Sequence, residues 1–148
     1  MIKMIRADEF ADMMLDLERI ADASIESLFA LGCAQHDITM NQMRILIELY
    51  KVGNCTVGEL SNTLGIMRGN MAATCKKLEE RQLLTRVRSK QDERIVYMQL
   101  TLKGKELADS ILQQIQIKYS DTFESVDSNE IEKILTGLKT LYALLERM

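Results

Sequence analysis

At 148 residues the chain has room for one ordinary domain with a sizeable core, and 47% apolar with 28% charged residues is globular rather than disordered composition. No apolar run is long enough to span a membrane. The start Met1-Ile2-Lys3-Met4-Ile5-Arg6, followed at once by Asp8 and Glu9, lacks the apolar core of a signal peptide, so the expected compartment is the cytoplasm. Cys33, Cys55 and Cys75 are widely spaced and accompanied by a single His36, which supports neither a disulfide framework nor a zinc site, and nothing calls for a cofactor.

With no Pro, no Trp and seven Gly, punctuation is sparse and long helices are the natural expectation. A first helix is predicted from about Asp8 to Leu31, where Phe10, Met13, Leu17 and Ile20, then Leu28 and Leu31, form one apolar stripe that Gly32 can end. Thr39 can cap a second helix to about Tyr50, with Met43, Leu46, Ile47 and Tyr50 at helical spacing and Gly53 closing it. Thr56-Val57-Gly58-Glu59 has the form of a capping box and opens a short third helix carrying Leu60 and Leu64, which stops at Gly65. After Ile66-Met67-Arg68-Gly69-Asn70, a fourth helix runs to about Arg81, and the pair makes a helix-turn-helix candidate. Leu84–Arg88 and Ile95–Leu100 are β-prone and flank the polar tip Ser89-Lys90-Gln91-Asp92-Glu93-Arg94. A β-hairpin with a basic tip directly after a helix pair is the order of a winged helix.

Thr101 caps a fifth helix with Leu107, Ile111, Ile115, Tyr119 and Phe123 along one face; Gly104 in its first turn is a cost that periodicity does not explain. Asp127-Ser128-Asn129-Glu130 offers another capping box, and Ile131, Ile134, Leu138, Leu141 and Leu145 then repeat at three-four spacing. Such a seam wants a partner helix.

The net charge of −3 at first argues against nucleic acid, but the distribution of charge along the chain points the other way. Residues 66–105 carry ten positive and four negative side chains, a net +6, which leaves the rest of the chain at −9. A basic segment on an acidic frame is the electrostatic footprint of a soluble DNA-binding protein, whereas a merely solvated surface would scatter the signs.

The stretch Asp92-Glu93-Arg94-Ile95-Val96-Tyr97-Met98-Gln99-Leu100-Thr101-Leu102-Lys103-Gly104 resembles the D-x-R wing followed by L-T-x-x-G of the MarR family of bacterial regulators. Thr56 to Leu60, Leu64 to Ile66, Lys77 to Glu79 and Leu83-Leu84 fall where that family keeps its helix-turn-helix. The resemblance implies a mainly α fold of the α+β class: one MarR-like domain over residues 1–148, with a winged helix-turn-helix at about 39–103 and dimerisation helices at about 5–32 and 104–148. It further implies a triangular homodimer on a pseudo-palindromic double-stranded operator, a repressor that a small ligand releases, and it accounts for Gly104 as part of the family motif. One departure stands out. Where the family has Gly after the second helix of the pair this chain has Gln82, which implies a different helix end or about 1 kcal/mol of local strain.

In a helix-turn-helix the start of the second helix enters the major groove, here Met67, Arg68, Gly69, Asn70, Ala72, Ala73 and Thr74. Arg68 suits guanine, Asn70 suits adenine or a helix cap, and Gly69 and Ala73 permit close approach. Met71, Cys75 and Leu78 share a face that reads as core; Lys76 and Lys77 read as phosphate contacts. In the wing, Arg86, Arg88, Lys90 and Arg94 are candidates for phosphate or minor groove, with Asp92 orienting Arg94 or Arg88. Phe10, Met13, Leu17 and Ile20 with Ile131, Ile134, Leu138, Leu141 and Leu145 are the candidate dimer surface. Phe10, Met13, Met14 and Met43 are either ligand-cleft lining or part of a dimer core, and core is the better reading.

Three alternatives compete. A thiol-based redox regulator needs an exposed Cys in an electropositive setting. A winged-helix module for protein contacts would not need the +6 segment. An enzyme needs a nucleophile with its base or paired carboxylates in a pocket, and the lone His36 stands apart from any such motif, so no catalysis is expected.

Overall fold

A computed structural model describes the backbone of residues 2–148 and the side chains of residues 6–148; Met1 and the side chains at 2–5, on which the expectation about a signal peptide partly rests, lie outside the described residues. The elements in order are α1 (Ile2–His36), α2 (Met40–Val52), β1 (Asn54–Cys55), α3 (Val57–Leu64), α4 (Arg68–Glu80), β2 (Leu84–Arg88), β3 (Val96–Leu100), α5 (Leu102–Phe123) and α6 (Ser128–Leu145). They divide into two compact units, Met1–Leu112 and Gln113–Met148. Among the described residues no helix is long and apolar enough to cross a membrane.

In the first unit, α1 overruns its expected end. Gly32 lies buried inside the helix rather than stopping it, a cost of about 1 kcal/mol in helix propensity that burial can offset. The stop is Asp37, whose φ of 51° lets the Ile38 N–H reach back to the Cys33 carbonyl at 3.1 Å. Thr39 caps α2 as expected and forms a full box with Gln42: the Gln42 N–H donates to Thr39 Oγ1 at 3.2 Å and the Thr39 N–H to Gln42 Oε1 at 3.0 Å. Gly53, at φ 89°, closes α2.

α2 is the centre of the core. Met43, Ile45, Leu46 and Leu49 are buried, joined by Leu60 from α3, Met71, Cys75 and Leu78 from α4, Met98 from β3 and Ile111 from α5. Each large side chain so buried contributes roughly 1.5–3 kcal/mol of hydrophobic transfer.

The hairpin β2–β3 pairs antiparallel from Leu84↔Leu100 to Arg88↔Val96. β1 adds a third strand through Asn54↔Gln99 and Cys55↔Met98, giving the order β1-β3-β2. Two residues show no alternation, so sequence pattern could not reveal β1.

α4 ends in a Schellman arrangement: the Gln82 N–H donates to Glu79 O at 2.9 Å and the Leu83 N–H to Leu78 O at 3.0 Å. The helix end is therefore of the kind that a glycine makes, and Gln82 holds the left-handed position at φ 60° that a glycine would occupy without strain. Thr101 caps α5, accepting from the Gly104 N–H at 3.0 Å while its hydroxyl donates to Gln82 O at 2.6 Å. Gly104 now has a physical reason: a Cβ there would collide with the Leu83 carbonyl oxygen.

The second unit holds the end of α5, where Tyr119 and Phe123 stack with ring centroids 6.2 Å apart, and α6. The capping box expected at its start does not form. Asp127 is the N-cap, but its carboxylate makes no cap bond, and the Glu130 N–H is satisfied by the Asp127 backbone carbonyl at 2.9 Å.

Candidate nucleic-acid interface

The helix pair is set by its caps. In α3 the Glu59 N–H donates to Thr56 Oγ1 at 3.1 Å and the Thr56 N–H to Glu59 Oε2 at 2.8 Å, completing the predicted box. Gly65, left-handed at φ 65°, turns the chain toward α4. Met71, Cys75 and Leu78 have no exposed surface, which fixes the rotation of α4. Arg68, Gly69, Asn70, Ala72, Ala73, Lys76 and Lys77 are therefore all exposed on its other side. Met67 is the N-cap of α4 and supplies no side-chain cap, so the N–H groups of the first turn remain for solvent or an anion. That excludes the capping role for Asn70, which sits inside the first turn. Thr74 is half-buried and its hydroxyl donates to Asn70 O at 2.7 Å, so it is less available than its neighbours.

The wing is held by its own polar groups. Arg94 Nε donates to Asp92 Oδ1 and Nη2 to Oδ2, both at 3.1 Å, and the Arg94 N–H donates to Oδ1 at 3.0 Å. Asp92 thus orients Arg94, as expected, and these bonds hold its carboxyl below the ordinary aspartate value. The Arg94 side chain nevertheless stays 90% exposed. Arg88 Nη1 donates to Glu93 O at 3.0 Å across the tip, and buried Ser89 accepts from the Gln91 and Asp92 N–H groups at 3.2 and 3.3 Å. Arg86 is less free than its place in the basic segment suggests: its Nε donates to Glu79 Oε2 at 2.8 Å.

Two further cations brace the site. Arg81, just past α4, donates from Nη1 to Asp37 O at 2.6 Å and from Nη2 to His36 O at 3.0 Å, fastening the end of α4 to the end of α1. Lys103 Nζ donates to Arg81 O at 3.2 Å. Carbonyl acceptors orient these groups without cancelling their charge, so the segment keeps its positive potential. The sequence holds no signal for the role of Arg81, because its partners are backbone atoms 44 and 45 residues away.

None of the three free cysteines is fully exposed: Cys75 is buried, and Cys33 and Cys55 are half-buried. Burial pushes Cys75 up to about 11, with Glu79 adding to the shift and Arg86 opposing it. Burial also raises Cys33 and Cys55, the latter helped by Glu59 and Glu48. A cavity of about 430 Å³ lies along α1 and α2, lined by Asp22, Ile25, Glu26, Phe29, Met40, Arg44, Ile47, Glu48, Lys51 and Leu64. Phe10, Met13, Met14 and Met43 are not among its walls; Met43 is wholly buried core, while Phe10 and Met13 are exposed.

The family model of the transcriptional regulators SarA/Rot matches residues 27–111, more than half of the chain and all of the helix pair and wing. The chain belongs to the SarA/Rot family of transcriptional regulators. Like the rest of that family it is a DNA-binding regulator of transcription, carried on a MarR-type winged helix. It is 30% identical over 112 residues to the helix-turn-helix transcriptional regulator FarR of Neisseria gonorrhoeae, covering 76% of each chain. Its fold matches that of a MarR family protein from Bacillus stearothermophilus with a TM-score of 0.82 at 24% identity, over 94% of this chain and 97% of that one. It also matches NadR in complex with 4-hydroxyphenylacetate, with a TM-score of 0.76 and 28% identity over 88% and 89% of the two chains.

Proposed function

We propose that this SarA/Rot-type regulator is a homodimeric repressor that binds a pseudo-palindromic operator, with α4 in the major groove and the wing on the flanking backbone, and that a small ligand releases it. The observation that carries the reading is the division of α4: Met71, Cys75 and Leu78 are fully buried while Arg68, Asn70, Lys76 and Lys77 on its other side are exposed. Arg68 and Asn70 are the base readers and Gly69 and Ala73 allow the close approach. Lys76, Lys77, Lys90 and Arg94 meet phosphates or the minor groove. Thr74, Arg86 and Arg88 serve chiefly to hold the helix and the wing in shape, as their internal bonds indicate.

Dimerisation is supported by what the chain leaves uncovered. Phe10, Met13, Leu17 and Ile20 are 36%, 65%, 42% and 54% exposed, and Ile134, Leu138 and Leu145 are 49%, 51% and 41% exposed. Segments 5–32 and 104–148 are the frame in this reading, and 39–103 the winged module of one MarR-like domain. For the effector, NadR holds 4-hydroxyphenylacetate, an aromatic acid. The α1–α2 cavity is the place for such a ligand in this reading: Phe29, Ile25 and Ile47 offer walls for an apolar body, and Arg44 and Lys51, which stand there beside Asp22, Glu26 and Glu48, are the groups that would take its carboxylate.

Fluorescence anisotropy with a labelled duplex from the protein's own promoter, in rising salt and against scrambled competitor, tests this. Tight, competitor-resistant binding with a steep salt slope supports it. Equal loss to specific and scrambled competitor contradicts operator recognition.

A further inference from the structure

We propose that Gly58, in the first turn of α3, is a positioning residue for operator reading: by lacking a side chain it leaves the place in which the Arg68 guanidinium stands, so that α3 and α4 present one composite reading element. The inference rests on α4 being the helix that reads the operator.

Gly58 sits in a helix, where glycine costs about 1 kcal/mol relative to alanine. It is not among the glycines whose positive φ requires one, which are Gly53 and Gly65. What its missing side chain does is visible in the contacts. A Cβ built there would stand 2.9 Å from Arg68 Nη2, 3.4 Å from Cζ and 3.7 Å from Nε, the nearest atoms apart from its chain neighbours and the backbone of its own helix. The guanidinium of the first residue of α4 therefore lies over the first turn of α3, across the turn that joins the two helices. Among the described residues no hydrogen bond or ion pair occupies that guanidinium, so its donors remain available. A planar fork standing free with its donors unspent matches the paired O6 and N7 acceptors of guanine.

The arrangement makes recognition separable from folding. A methyl at position 58 would meet only the far end of a flexible side chain, which can swing aside at little cost in stability, but in doing so it moves the reading group.

The test uses the duplex that the full-length protein selects from a random-sequence library, with a scrambled duplex of the same composition as control. Affinity for both, and the thermal midpoint, are measured for wild type, Gly58→Ala, Arg68→Ala and the double variant. Gly58→Ala is expected to melt at or above the wild-type temperature yet to lose on the order of tenfold of the preference for the selected duplex. Arg68→Ala should lose at least as much, and the double variant no more than Arg68→Ala alone. Replacing N7 by carbon in the guanine that Arg68 contacts should weaken wild type and leave Arg68→Ala unmoved. The pairing is overturned if Gly58→Ala keeps its full preference, or loses the same factor again when Arg68 is already absent. An Arg68→Ala variant that weakens both duplexes equally would make Arg68 a phosphate contact and overturn its reading role. If wild type selects no sequence at all, the operator reading fails and this inference with it.

Discussion

Helices α4 and α6 are both amphipathic, and they treat their apolar faces in opposite ways. α4 buries Met71, Cys75 and Leu78 completely, whereas α6, among the described residues, buries none. The apolar face of α4 is satisfied by its own chain, so its outer, basic face is what remains for a partner. In α6 the apolar face is itself the surface left over, because an exposed seam of Ile134, Leu138 and Leu145 gains nothing until another helix covers it. The same comparison separates two classes of substitution. Changes on the outer face of α4 should alter binding and leave folding alone; changes on the apolar face of α6 should alter assembly and, through it, everything else.

The largest effect is expected at Leu138→Asp. A charge in the seam should turn the dimer into monomers in analytical ultracentrifugation and, with the second half-site no longer tethered, lower operator affinity by about 10²–10⁴-fold. A variant that remains dimeric would remove α6 from the interface. Next comes Arg94→Ala in the wing. It should weaken binding across all sequences and reduce the salt slope by about one unit, and an unchanged slope would mean that Arg94 touches no phosphate.

Asp92 sharpens the wing further. Its carboxyl is held below the ordinary aspartate value by the bonds from Arg94, so this contribution to wing order is present at neutral and mildly acidic pH and is lost only as pH falls through that depressed value. A carboxyl NMR titration should place its midpoint below the ordinary aspartate value and return it to the ordinary range in Arg94→Ala. The smallest effect is at the end of α4: Gln82→Gly should raise stability by up to about 1 kcal/mol in urea melts, since the left-handed φ of 60° is already in place. A loss of stability there would show that the Gln82 side chain holds the joint and not only its backbone.

How much of the fold is legible in the sequence depends on how local each cause is. Thr56 with Glu59, Thr39 at α2 and Thr101 at α5 act within one turn, and all three caps form where the residues predict them. Asp92 and Arg94 are two residues apart, and their pairing is legible for the same reason. Gly32 misleads because a glycine's tendency to end a helix gives way to burial inside α1, and Asp127 because cap chemistry is present but the backbone carbonyl takes the bond instead. Causes that act across the fold leave no trace in the pattern: β1 exists only because β3 has an edge to pair with, Arg81 reaches carbonyls at the end of α1, and Gly58 matters through a guanidinium ten residues on. The lining of the α1–α2 cavity belongs with these, since Phe29, Arg44 and Lys51 meet only once the helices pack.

Dimeric operator recognition through α4 and the wing is tested most directly by a hydroxyl-radical footprint of the wild-type protein on its selected operator. A dimer with one α4 and one wing per half-site should protect two blocks of backbone related by a dyad, about one helical turn or a multiple of it apart, each with a wing contact flanking a major-groove contact. A single asymmetric block, or protection that does not change between the operator and a scrambled duplex, would contradict it.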